Sequence, residues 1–320
     1  MSSAAARAGD AVTAIDTPAL VIDLDALERN IERMVDYARR HQLRLPPHAK
    51  THKSAAIARL QIAAGAVGVC VQKLGEAEAL ADAGMADLYI SNEIVDERKL
   101  ARLAALAGRA TLAVAVDSQL GIERLAAALK SAGTALDVFV EIDVGHGRWG
   151  GAPRAAGTLA HQVVAHGLRF AGLQAYHGRA QHLRGVAERE VAIRRAVALA
   201  RAAQASITSA GLGCPLVTGG GTGRFAFVAA GGVHRGVPAA GYVFMDRDYA
   251  ANDIGGGAPA FEQALFVKAQ VMSRGQAHAV VDAGHKAHAI DSGLPQVWQR
   301  RLEFANGGDE HGILRSPGDA

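Results

Sequence analysis

The sequence predicts an α/β protein: a (β/α)8 barrel with a second, smaller β-rich domain. Three observations predict it. Strand-like and helix-like segments alternate from Leu43 to Phe244, which argues for a parallel sheet. Eight such units argue for a closed barrel. From Glu262 the pattern changes to short strands with no long helices between them. At 320 residues, half of them hydrophobic, the chain can bury a large core.

Taken in order, Thr17–Asp25 reads as a strand, with Asp25 as N-cap of the next helix and Glu28 completing a capping box. Leu27, Ile31, Met34, Val35 and Ala38 then recur at helical spacing. The barrel strands are Leu43–Ala49, Val67–Val71, Ala86–Ile90, Ala110–Val116, Leu136–Ile142, Phe170–Tyr176, Cys214–Val217 and Ala240–Phe244. Alanine-rich amphipathic helices lie between them, at Lys73–Gly84, Ser118–Ala132, Arg154–His166 and Val186–Ala210. Ala264–Met272 and His278–Val281 read as strands of the second domain, with the first strand a candidate partner. These readings place the barrel at 26–257 and the β-rich domain at 258–320 plus 13–25, with a hinge at Gly255-Gly256-Gly257-Ala258-Pro259.

Composition excludes several classes. The net charge is +3 and the basic residues are scattered, so nucleic acid is not an expected partner. No apolar run is long enough to span a membrane, and Met1–Val12 lacks a hydrophobic signal core. A soluble, cytoplasmic protein is expected. Cys70 and Cys214 lie in apolar runs and read as buried free thiols of a reducing compartment.

Lys50 is the most informative residue. The chain has 27 arginines and 7 lysines, yet a lysine stands at a strand end in Pro47-His48-Ala49-Lys50-Thr51-His52-Lys53. An amine forms an imine with a carbonyl and a guanidinium does not. His48 and His52 are four apart, but a metal pair at that spacing needs a helix, and the prolines before them argue for strand and loop. Shaping the lysine's hydrogen bonds is the better role.

Thr218-Gly219-Gly220-Gly221-Thr222-Gly223 follows the seventh strand, where barrels commonly bind phosphate. Glycines let backbone N–H groups approach an anion, and Thr222 adds a hydroxyl. The alternative is a plain glycine-rich turn. Glu141-Ile142-Asp143-Val144-Gly145-His146-Gly147-Arg148 ends the fifth strand, and Arg148 can hold a phenolate or carboxylate. An ordinary salt bridge is the alternative there. After the sixth strand, Tyr176 can pack on an aromatic ring and His177 can act as acid or base, or be a satisfied buried histidine. Glu93, Glu141, Asp143 and the polar run Asp282–Pro295 supply further groups for a site.

Together the Pro-His-Ala-Lys-Thr-His-Lys, Glu-Ile-Asp-Val-Gly-x-Gly-Arg, Gln-Ala-Tyr-His-Gly, Gly-Gly-Gly-Thr-Gly and Tyr-Val-Phe-Met-Asp motifs resemble the D-threonine aldolase family. That group includes 3-hydroxy-D-aspartate aldolases and D-threo-3-hydroxyaspartate dehydratases and is related to D-serine dehydratase. The resemblance runs from about Thr17 to Gly312 and implies an alanine-racemase-type barrel and a pyridoxal 5'-phosphate cofactor. It implies that Lys50 forms the internal aldimine, and that Gln72, Arg148 and Tyr176 lie near the cofactor ring. It places Thr222 and the backbone at Ala240 and Gly241 at the phosphate, with Gly220, Gly221 and Tyr242 also among the cofactor-binding residues.

The resemblance also implies a lyase acting on D-β-hydroxy-amino acids, as a homodimer. Aldol cleavage to glycine and an aldehyde is favoured over ammonia-releasing dehydration, and His177 is a candidate base. A cofactor carrier with little turnover is a further alternative. The chain departs from the family pattern at Ala240-Gly241-Tyr242, where Gly-Ser-Tyr is usual, at Val228, and at Gly236-Val237-Pro238. The family continues through a Pro-Gly-His-Cys-Asp-Pro-like segment that binds a divalent metal (Mn, Mg or Zn). This sequence ends at Ser316–Ala320, so no metal ligands and an incomplete β domain with open sheet edges are expected.

Overall fold

The computed structural model describes residues 6–255 and 257–318; the second residue of the expected glycine hinge, the first five residues and the last two lie outside them. The chain divides into two units. One comprises Glu28–Val243 and Asn252–Phe261. The other comprises the chain up to Leu27, Phe244–Ala251 and the chain from Glu262 onward.

Strands and helices follow in the order β1 (Ala19–Ile22), α1 (Leu24–Arg40), α2 (Ala55–Ala63), β2 (Val69–Val71), α3 (Leu74–Asp82), β3 (Asp87–Ile90) and α4 (Glu97–Ala107). Next come β4 (Thr111–Val116), α5 (Gln119–Ala132), β5 (Asp137–Glu141), α6 (Ala156–Ala165), β6 (Arg169–Gln174), α7 (Val186–Ser209), β7 (Val217–Thr218), α8 (Phe225–Ala230) and α9 (Arg247–Ala250). The chain then continues with β8 (Leu265–Lys268), β9 (Val271–Arg274), β10 (His278–Val281), β11 (Glu303–Asn306) and β12 (Gly312–Arg315).

In the first unit, β2 to β7 form a parallel sheet in sequential order. Side-chain alternation decides which residues face which way. Val69, Val71, Leu88, Ile90, Val114, Val138, Val140 and Leu173 join the large core with buried helix residues such as Leu100, Leu103, Ile122 and Leu125. The intervening Cys70, Tyr89 and Phe139 form a separate cluster with Ala113, Ala171 and Leu216, as alternate residues turned to the other face of the sheet. Ser54, Asp96 and Ser118 cap α2, α4 and α5 by accepting from Ile57, Lys99 and Gly121 N–H groups.

Two of the eight expected barrel strands are not strands. Leu43–Ala49 makes single parallel bridges, Arg44 with Gly236 and His48 with Cys70. Ala240–Phe244 contains a short 3-10 turn, Gly241–Val243, and the bridge to β7 comes earlier, between Gly236 and Thr218. Pro46, Pro47 and Pro238 explain this, because proline lacks the N–H that a ladder needs. These bridges still close the ring of staves, so the barrel has six regular staves and two irregular ones.

In the second unit β1 pairs antiparallel with β8, as the sequence suggests. The expected strand Ala264–Met272 is broken between β8 and β9, and β11 and β12 complete a four-stranded antiparallel sheet, β11-β12-β10-β9. β9 is exposed at every residue, as an edge strand. The expected Asp25 cap lies inside α1. Asp23 takes that role, its carboxylate accepting the Ala26 N–H at 3.0 Å. Both cysteines are free thiols, Cys70 buried and Cys214 half-buried. Among the described residues no helix is long and apolar enough to cross a membrane.

Candidate active site

Every group described here belongs to the barrel unit. Lys50 sits in a 3-10 turn, Ala49–Thr51, directly after the proline-interrupted stave. Its N–H donates to His48 Nδ1 at 3.4 Å. With Nδ1 as acceptor, the neutral imidazole carries its proton on Nε2, which lies 3.3 Å from Gln72 Oε1 and 3.2 Å from Ser91 Oγ. Burial, and then the charge of Lys50, hold the His48 pKa down at about 3. His52 turns elsewhere, its Nδ1 accepting from Ser54 N at 3.0 Å, so the two histidines do not act as a pair. His48 N also donates to Ala239 O at 2.9 Å, which ties the lysine turn to the segment that leads into Ala240 and Gly241.

Tyr176, just past β6, gathers the cations. Lys50 Nζ lies 5.9 Å from its ring centroid, and the guanidinium carbons of Arg148 and Arg224 lie 6.0 and 5.0 Å away. Arg148 is presented by a loop that Asp143 shapes, its Oδ1 accepting from the N–H groups of Gly145, His146 and Gly147. The Arg148 guanidinium stacks on the Trp149 indole at 3.2 Å. Arg224 is fully buried at the entry to α8 and donates to Gly219 O.

The glycines of the motif after β7 leave little room for a side chain. Gly219 has φ +145°, and a Cβ there would strike Ala175 O; one on Gly221 would strike the Gln181 amide. Buried Gln181 accepts the Gly223 N–H at 2.7 Å, and Thr222 Oγ1 accepts the Tyr242 N–H at 3.1 Å. Gly221 and Thr222 are buried, and among the described residues their N–H groups find no acceptor. Orphaned buried donors beside a buried arginine fit a phosphate group. Together with an exposed lysine amine near an aromatic face, the residues present fit pyridoxal phosphate. Among the described residues no group of three or more His, Cys, Asp or Glu side chains is gathered to hold a metal ion.

Behind Arg148 lies a polar network. Glu141, buried at the end of β5, accepts from Trp149 Nε1 at 2.9 Å and from Gln174 Nε2 at 2.6 Å. Gln174 also accepts from the Tyr89 hydroxyl. The Glu93 carboxyl faces Glu141, and burial followed by that neighbouring charge pushes Glu141 up to about 9.

Thus Lys50, Arg148 and Tyr176 come together; Gln72 reaches Lys50 through His48; and Gly220, Gly221 and Thr222 form one cradle with Tyr242. His177 is buried against Gly145, and burial followed by Arg224 lowers its pKa, so it is neutral near pH 7. Sequence reasoning misses Arg224, although it directly follows the glycine motif, and misses the pairing of Glu93 with Glu141.

Fold and site define the class: a parallel α/β barrel of the alanine racemase type, with a lysine at one stave end and a glycine-rich turn with buried N–H groups after β7. Residues 22–234 match the family described as alanine racemase, N-terminal domain, and residues 264–320 match a putative serine dehydratase domain. The chain belongs to the alanine racemase N-terminal domain family. It is 42% identical over 314 residues to a D-threonine aldolase of Arthrobacter sp, covering 97% of this chain and 83% of that one. It is 41% identical over 310 residues to a 3-hydroxy-D-aspartate aldolase of Paracoccus denitrificans (strain Pd 1222), covering 94% and 80%. The crystal structure of a D-threonine aldolase from Filomicrobium marinum superposes with a TM-score of 0.96 at 47% identity, over 99% of this chain and 86% of that one.

Proposed function

We propose that the protein is a pyridoxal-phosphate-dependent lyase that cleaves D-β-hydroxy-amino acids to glycine and an aldehyde. The observation that carries this reading is the placement of Lys50, Arg148 and Arg224 around Tyr176, beside a cradle of buried N–H donors. Resemblance to enzymes named as aldolases supports it.

When bound, pyridoxal phosphate supplies an electron sink conjugated to the substrate's α-carbon. The chain supplies the rest. Lys50 would provide the amine that holds the cofactor's carbonyl. Gly221 and Thr222 N–H groups would bind its phosphate, with Arg224 adding positive charge. Arg148 would hold the cofactor's phenolic oxygen, and Tyr176 would pack against its ring. His177, neutral at pH 7, takes the β-hydroxyl proton as the Cα–Cβ bond breaks. The reading includes a homodimer, which sedimentation of the holoenzyme tests.

The deciding experiment adds pyridoxal phosphate and then D-threonine. A visible absorption band should appear on adding the cofactor and be absent in Lys50→Ala, and D-threonine should yield glycine and acetaldehyde in equal amounts. A protein that stays colourless overturns the reading. Ammonia release from D-3-hydroxyaspartate, without glycine, moves it to dehydration.

A further inference from the structure

The network behind Arg148 holds two acidic side chains that the proposed mechanism does not use. Glu141 is buried, with Trp149 Nε1 on one oxygen and Gln174 Nε2 on the other. Glu93, in the loop after β3, turns its carboxyl to Glu141, and its Oε1 is buried with no donor among the described residues. Two carboxylates cannot hydrogen-bond to each other. One proton between them satisfies the orphan oxygen and removes one of two like charges. The charged and titratable groups around the pair are Tyr89 on β3, Asp117 after β4, and Arg148.

We propose that Glu93 and Glu141, joined by one shared proton, are positioning residues that hold the Trp149 indole as the platform on which Arg148 is presented to Tyr176. The chain of contacts is continuous. Glu141 Oε1 fixes the indole N–H at 2.9 Å, the indole carries the guanidinium at 3.2 Å, and that guanidinium lies 6.0 Å from the Tyr176 ring. With the proton present the pair bears one negative charge. Without it two negative charges stand beside Arg148 and draw the guanidinium off the indole. The proposal rests on the reading of Arg148 as a cofactor-facing cation, but its primary readout needs no cofactor.

The chain has two tryptophans, Trp149 and Trp298, so W298F leaves Trp149 as the sole indole reporter. Fluorescence of apo W298F should follow one titration with a midpoint near 9, where the pair loses its proton. Glu141→Gln keeps an acceptor for Trp149 and a donor for Glu93, gives up only the acceptor for Gln174, and cannot titrate, so in that background the emission should be flat through this range. Emission in W298F that is flat, or a transition that persists in the E141Q background, overturns the proposal. A second arm measures pyridoxal phosphate affinity. Glu141→Ala and Trp149→Phe should each weaken it about tenfold, the double variant no more than the worse single, and E141Q should restore it. Additive losses, or failure of E141Q to rescue, also overturn it. If E141A does not fold, E141Q and W149F carry the test. Loss of lyase activity with these signals intact would count against the proposed reaction and not against the positioning role.

Discussion

The two walls that bring cations to Tyr176 are built on opposite electrostatic logic. Lys50 and Arg148 stand at nearly equal distances from the ring, 5.9 and 6.0 Å. On the lysine wall an irregular stave is held by His48, a base stripped of its proton by burial and by Lys50. On the arginine wall a regular stave ends in Glu141, an acid that keeps its proton through burial and the presence of Glu93. Each wall neutralises a buried group beside a basic side chain, and so lowers the cost of desolvation. The difference teaches where each wall is vulnerable: the lysine wall to acid, the arginine wall to base.

The largest break in this comparison comes from His48→Ala. It strips acceptor and donor from the lysine turn, leaves Gln72 and Ser91 short of a partner, and opens a cavity. Stability should fall by about 3 kcal/mol in urea unfolding. The visible band on adding pyridoxal phosphate should form far more slowly, because Lys50 loses the contact that sets its turn. A full-strength band at the wild-type rate would show that the prolines alone set the lysine.

His48→Gln separates the contact from the charge. In the wild type the unfolded chain binds a proton at His48 below its ordinary value of 6.5, while the folded chain resists until about 3. Stability is therefore lost as pH falls through that window, by on the order of a few kcal/mol. Glutamine keeps a donor for Gln72 and cannot titrate, so the acid-unfolding midpoint should move to lower pH. An unchanged midpoint would assign the acid sensitivity to other groups.

These two walls were not equally legible in the sequence. Lys50, Arg148, Tyr176 and Thr222 stand in motifs whose residue types already state their chemistry. His48 was readable as a partner of the lysine because the prolines ruled out a helix. The pairing of Glu93 with Glu141 was not, because it joins the ends of β3 and β5 and depends on burial that no local pattern reports. Arg224 was missed for a similar reason: an arginine in an arginine-rich chain carries no signal until the fold buries it. The same prolines misled the fold reading, since a hydrophobic run without N–H donors looks like a strand and forms single bridges.

Glu141→Gln tests the basic wall by stability. Between the ordinary carboxyl value of 4.5 and about 9, the folded chain keeps a proton at Glu141 that the unfolded chain releases. Stability therefore declines as pH rises through that range. E141Q should flatten the decline, while its amide, which cannot accept from Gln174 Nε2, lowers stability at both pH values. Thermal melts at pH 6 and 9 for both proteins check it. An equal drop in both would remove Glu141 as the source.

The smallest effect concerns the residue between the walls. Ser91 Oγ lies 3.2 Å from His48 Nε2 and donates to Val71 O at 3.2 Å, while Ser91 O accepts from both Gln72 and Gln174 at 3.4 Å. Gln174 in turn holds Glu141, so Ser91 touches both networks. Its hydroxyl serves the lysine wall and its carbonyl serves both. Ser91→Ala removes the hydroxyl alone and should cost about 1 kcal/mol. It should leave the titration of Glu141 in place, because the shared carbonyl survives. The double variant S91A/E141Q should then be additive within about 0.5 kcal/mol, which marks the walls as independent. A coupling well beyond that would mean that the two neutralised groups feel each other through Ser91, and that the acid and base sensitivities of the site belong to one network.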